Sequence, residues 1–84
     1  MTNKEILKKQ IIYRSMHRGT KEMDLLLGNF VKKHIDNFSN TDLEDLEKLL
    51  FIEDEIIYKW YFEKYPDIAI PNTKVSAMLK NFKL

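Results

Sequence analysis

The side chains able to do chemistry in this 84-residue chain are two histidines, three serines and 13 carboxylates, with no cysteine among them. His17 and His34 have no second His, Cys or carboxylate at a metal-ligand spacing, so neither reads as a zinc or iron ligand. Lacking cysteine, the chain can form neither a thiolate site nor a disulfide framework. Ser15, Ser39 and Ser76 lack the strand-to-helix elbow that exposes a nucleophile, and the two glycines make no phosphate-cradling loop. The carboxylates crowded between Asp42 and Glu55 fit helix caps and solvated faces better than an acid and base pair. No catalytic residue, metal or stably bound cofactor is therefore expected, and the chain reads as a non-enzyme that acts by binding another protein.

One segment keeps an unusual density of functional groups: His17-Arg18-Gly19-Thr20-Lys21-Glu22-Met23-Asp24. Local chemistry gives each member a structural task. Gly19 can adopt the backbone angles that end a helix, Glu22 and Asp24 complement the positive end of the next one, and Arg18 pairs weakly with Glu22. His17 reads as a surface cation. The residues alone leave open whether the turn is only a cap or also a contact surface.

The elements that would position this turn are helices. Thr2 to Glu5 has the spacing of a capping box, followed by Leu7, Ile11 and Met16 as a sparse apolar stripe that stops near Gly19. From Thr20 the period is strong, with Met23, Leu26, Leu27, Phe30, Val31 and His34 on one face. His34 there suits a hydrogen-bonded core or rim position. The polar run from Asp36 to Asn40 breaks the pattern, and Thr41 to Glu44 reads as a second capping box ahead of Leu43, Leu46, Leu49 and Leu50. Asp54 is the expected N-cap of a fourth helix with Ile57, Trp60 and Tyr61 inward and Pro66 as its stop. Pro71, Asn72 and Thr73 open a last helix with Val75, Met78, Leu79 and Phe82 on its apolar side. The expected fold is all-α, a compact bundle of about five short helices forming one domain over residues 1–84.

Hydrophobic residues make up 44% of the chain and Gly and Pro occur twice each, which favours a folded domain over a disordered tail. No apolar run is long enough for a membrane span or a signal peptide, so a soluble intracellular protein without direct membrane insertion is expected. The net charge is only +1 but is segregated, at +5 over residues 1–34, −7 over residues 35–55 and +3 beyond. Interleaved helix faces account for that pattern more simply than a steering field. A near-neutral chain with two Arg is a poor nucleic-acid binder, and none is expected as a partner.

Arg18-Gly19-Thr20-Lys21-Glu22 is also an R-G-x-x-E pattern, continued by Met23 to Phe30 and followed by Leu49-Leu50, Asp54, Ile57 and Trp60. In these residues, spanning roughly 5–62, the chain resembles the SdhE family of flavinylation factors, which help the succinate dehydrogenase flavoprotein acquire covalent FAD. It departs from the family pattern at His17, where many members have a second Arg, at Tyr61, where Leu is usual, and loosely after Pro66. The resemblance implies an assembly factor. Its partner would be the flavoprotein subunit of succinate dehydrogenase, with the related fumarate reductase flavoprotein as a second client. The flavin-linking histidine and the FAD would belong to that partner, which catalyses its own modification while the factor holds a competent conformation. Arg18, Gly19 and Glu22 would carry the contact, flanked by His17, Lys21 and Asp24, with Gly19 admitting a close backbone approach. Asp24, Asp54 and Trp60 read as capping and core residues that stiffen the surface. The implied location is the bacterial cytoplasm, or the mitochondrial matrix for a processed eukaryotic protein, and a monomer is expected when free. The competing function is a stand-alone helical adaptor or regulator in which the Arg18-Gly19 turn is structural.

Overall fold

The strong apolar period that starts at Met23 becomes the helix around which the others pack. In the computed structural model, which describes residues 3–64 and 70–83, the elements are α1 (Asn3–Met16), α2 (Lys21–His34), α3 (Asn40–Leu50), α4 (Asp54–Tyr61) and α5 (Lys74–Asn81), with a 3-10 turn at Ile35–Asn37 after α2. Among the described residues there is no strand, as the sequence predicts. Helix α1 packs on α2 and α3, and α5 packs on α3. Met23, Leu26, Leu27, Phe30 and Val31 of α2 join Leu43, Leu46, Leu49 and Leu50 of α3, Ile57 and Trp60 of α4, and Val75 and Leu79 of α5 in one core.

Helix starts follow their caps, with two shifts from expectation. Thr20 accepts from the Met23 amide at the start of α2, and Thr73 with Ser76 forms a reciprocal box at α5. Helix α3 starts two residues earlier than predicted, because Ser39 and Asp42, and not Thr41 and Glu44, form its capping box. With Ser39 as the cap, the residue before it is Phe38 and the fourth helical residue is Leu43, both buried; a Thr41 cap would put polar Asn40 in that stapling position. At α4 the N-cap is Glu53, without a side-chain bond, and Asp54 stands one residue inside the helix with its carboxylate used elsewhere. Helix α4 ends at Tyr61, well before Pro66, and the Tyr61 hydroxyl donates to the Phe82 carbonyl, tying this end to α5. The predicted Thr2 cap and Pro66 stop lie outside the described residues.

Met16 was expected inside and is 41% exposed; Ser15 takes the buried place. The Ser15 hydroxyl satisfies itself on the Ile12 carbonyl at 2.8 Å, and this small side chain lets α1 approach α2 at Gly28. A Cβ built at Gly28 would meet Met16 Cγ at 3.6 Å and Ser15 O at 3.8 Å, ordinary contact distances. Gly28→Ala is therefore expected to fold and to gain up to about 1 kcal/mol from helix propensity, a rise of up to about 4–8 °C in Tm. A melting curve checks it, and a fall in Tm would show that the α1–α2 crossing is tighter than these distances allow. His34 lies partly exposed at the rim, its ring 5.0 Å from that of Phe30 and 6.0 Å from that of Phe38, in the place foreseen for it.

The segregated charges pair across the packed helices, mostly at the surface. Lys8–Asp36, Arg14–Glu47, Arg18–Asp54 and Lys74–Asp42 each join a basic flank to the acidic middle of the chain. Asp42 is the buried one. Burial pushes its carboxyl up, but the Ser39 amide, the Lys74 ammonium and the Ser39 hydroxyl outweigh that and hold it below its ordinary value. A carboxyl lowered on folding contributes stability above the unfolded value of about 3.9 and loses it as pH falls through the folded value. The Tm gap between the wild type and Asp42→Asn should accordingly be larger at neutral pH than near pH 3, checked by melting both proteins across that range. An unchanged gap would remove Asp42 from the acid response.

Candidate partner-binding site

Four residues, 17–20, connect α1 to α2, and three separate parts of the chain determine their shape. The Arg18 amide donates to Asp24 Oδ1 at 2.6 Å, so Asp24 closes the turn from the first turn of α2. The Arg18 side chain runs inward. Its Nη1 donates to the Leu50 carbonyl at 2.5 Å and its Nη2 to the Ile52 carbonyl at 2.9 Å, groups left without helical partners where α3 ends. A cation is favoured at that negative helix end, and the planar guanidinium reaches both carbonyls at once.

Asp54 completes the arrangement from the first turn of α4, where a carboxylate suits the helix dipole. Arg18 Nε and Nη2 both lie 2.6 Å from its Oδ1, leaving Oδ2 to accept the Gly19 amide at 2.6 Å. The Arg18 side chain is 10% exposed and that of Asp54 23%, so the pair is largely desolvated. One guanidinium thus joins the α1–α2 turn, the end of α3 and the start of α4.

Two expectations change here. Arg18 pairs with Asp54 and not with Glu22, because the two bare carbonyls draw the guanidinium inward. Neither glycine has a positive φ, so Gly19 is not a left-handed helix stop. Its small size is what the fold uses, since a Cβ there would lie 2.9 Å from Asp54 Oδ2.

Three of the other predicted contact residues, His17, Lys21 and Glu22, face solvent. Glu22 and Lys21 are exposed, beside the exposed Gly19. His17 is exposed too, its Nδ1 2.8 Å from the Tyr13 carbonyl and its ring stacked 4.0 Å from that of Tyr13. Asp24 is half-buried and spent on the turn. Two shallow grooves flank it. One is lined by Tyr13, His17, Arg18, Leu50, Phe51 and Ile52, the other by Thr20, Met23, Tyr58, Lys59 and Glu63. Tyr13 and Phe51 are 64% and 66% exposed, and the Arg14 guanidinium lies 4.4 Å above the Phe51 ring. Those two aromatics were not foreseen; Phe51, directly after the Leu49-Leu50 pair, could have been flagged as an apolar residue past the end of its helix. Tyr58 and Phe62, with ring centres 4.7 Å apart, edge the opposite side. Among the described residues no group of three or more His, Cys, Asp or Glu could hold a metal. The chemistry on offer is recognition: an exposed carboxylate and ammonium beside a rigid turn, bordered by aromatic surface.

Comparison with known proteins matches residues 9–83 to the family described as flavinator of succinate dehydrogenase. Succinate dehydrogenase assembly factor 2, mitochondrial, of Meyerozyma guilliermondii is 38% identical over 78 residues, covering 92% of this chain and 58% of that protein. The FAD assembly factor SdhE of Acetobacter pasteurianus is 33% identical over 73 residues, covering 87% of this chain and 64% of that one. An Arabidopsis thaliana protein named as the mitochondrial assembly factor 2 is 31% identical over 78 residues, covering 92% and 42%. The chain spans only part of these relatives, 58%, 64% and 42% of their lengths. The match runs through the Arg18-Gly19 turn, both aromatic grooves and the Asp54 clip, and the chain belongs to the succinate dehydrogenase flavinator family.

Proposed function

We propose that this chain binds the flavoprotein subunit of succinate dehydrogenase and promotes its covalent attachment of FAD. The observation that carries the reading is the family match over residues 9–83. The surface supports it: Gly19 is exposed on a turn whose position is set from inside, and Lys21 and Glu22 are exposed beside it at the start of α2. The related fumarate reductase flavoprotein is a second client. The chain contributes no reacting group and keeps no flavin of its own, so the linking histidine and the FAD belong to the partner. No helix among the described residues is long and apolar enough to cross a membrane. It works as a monomer, in the bacterial cytoplasm or the mitochondrial matrix.

A factor of this kind acts by binding one arrangement of its client more tightly than the others. A preference of about 1.4 kcal/mol changes the ratio of competent to incompetent client about tenfold. The test is co-expression of the chain with a succinate dehydrogenase flavoprotein in cells lacking their own factor, scored by flavin fluorescence of the subunit on a denaturing gel. Covalent flavin should rise with the chain present, and the two proteins should co-purify. Equal labelling with and without the chain would exclude the reading and favour an adaptor.

A further inference from the structure

We propose that Asp54 is a positioning residue for partner binding, and that its carboxylate, not the partner's approach, is what requires glycine at position 19. This deepens the function proposed above and rests on that reading. Asp54 uses its two oxygens on adjacent residues of the turn: Oδ1 on the Arg18 guanidinium and Oδ2 on the Gly19 amide. One side chain therefore fixes both the direction of Arg18 and the plane of the peptide between Arg18 and Gly19. Being mostly covered, the carboxylate acts on a partner through that turn. Gly19 and Asp54 are also the two residues that both flanking grooves share, so a shift of Asp54 reshapes both at once. The start of α4 moves with it, carrying Tyr58 and Phe62.

The requirement for glycine follows from the same atoms. Gly19 has no unusual backbone angle, and any residue could adopt its φ. Yet a Cβ would sit 2.9 Å from Oδ2, the oxygen its own amide needs. That oxygen cannot swing aside freely because Oδ1 is held on Arg18. A side chain at position 19 therefore competes with the bond from Gly19 to Asp54, since the carboxylate must shift or the bond lengthen to admit it.

The experiment measures affinity for a succinate dehydrogenase flavoprotein subunit with folded full-length chains, alongside hydrogen exchange of the Gly19 amide in the free chain. Asp54→Asn, which can accept from Arg18 or Gly19 but not serve both as the carboxylate does, is expected to expose the Gly19 amide and weaken binding about tenfold. Gly19→Ala should weaken binding about tenfold in the wild-type background and by about twofold or less in Asp54→Ser, where the obstructing oxygen is gone. Equal penalties for Gly19→Ala in both backgrounds would mean that the partner itself demands the glycine, and the proposal falls. Wild-type affinity in Asp54→Asn would overturn it as well, without reliance on the Ser variant folding. A wild-type chain that does not bind the flavoprotein defeats the functional reading and this inference with it, which separates the two failures.

Discussion

Arg18→Ala is expected to lower the Tm of the free chain by about 10–25 °C, the largest stability effect of any exposed-turn substitution. Removing the guanidinium leaves the Asp54 carboxylate and the Leu50 and Ile52 carbonyls without their donor, in a site where Arg18 is only 10% exposed. Breaking a fully buried pair costs about 3–5 kcal/mol, and the 23% exposure of Asp54 discounts that to roughly 2–4 kcal/mol. A domain of this size has little to spare. Arg18→Lys should recover only part of the loss, because an ammonium cannot face one carboxylate and two separated carbonyls at once. Thermal melts of both variants decide it, and a drop of only about 2 °C for Arg18→Ala would mean that the clip is ornamental.

Glu22→Ala should behave in the opposite way. Glu22 is exposed and makes no side-chain bond or ion pair among the described residues, so its Tm should stay within about 2 °C of wild type. Yet if it meets a donor on the flavoprotein, its loss strands that group at a desolvated contact and costs about 2–5 kcal/mol of binding, at least about thirtyfold in affinity. Covalent flavin on the co-expressed subunit should then fall at limiting factor, with the variant present at wild-type level. Normal labelling by Glu22→Ala would take Glu22 out of the contact. The pair of variants is informative together: one tests how the turn is built, the other what it presents.

The helices and their faces were legible because apolar period and caps are local signals, and α2 in particular was written plainly in Met23, Leu26, Leu27, Phe30 and Val31. The α3 start is ambiguous by two residues in the sequence because Ser39-x-x-Asp42 and Thr41-x-x-Glu44 both satisfy the capping pattern, and only packing of Phe38 and Leu43 separates them. The residue types of the Arg18-Gly19 turn stand out in the sequence, but its internal partner does not. Asp54 lies 36 residues from Arg18 and has a sufficient local explanation as a cap, so nothing in the spacing announced the bond. The helix-stop reading of Gly19 fails for the same reason: sequence shows that a glycine is present, whereas the atom that a side chain would strike belongs to another helix. Charge segregation was read as interleaved faces, and the ion pairs from Lys8, Arg14, Arg18 and Lys74 to the acidic segment are that interleaving.

The clip at Arg18 also bears on how much of this protein a cell would hold. A loss of about 2 kcal/mol raises the unfolded fraction some thirtyfold, and proteases act on that fraction, so steady-state levels can fall several-fold. Under the function proposed above, substitutions at Arg18 would then deplete the factor before any encounter with its client, and a deficit in flavin attachment would be read as a broken interface when the protein had simply been cleared. Excess client would in turn protect such a variant, since binding withdraws folded molecules from the degradable pool.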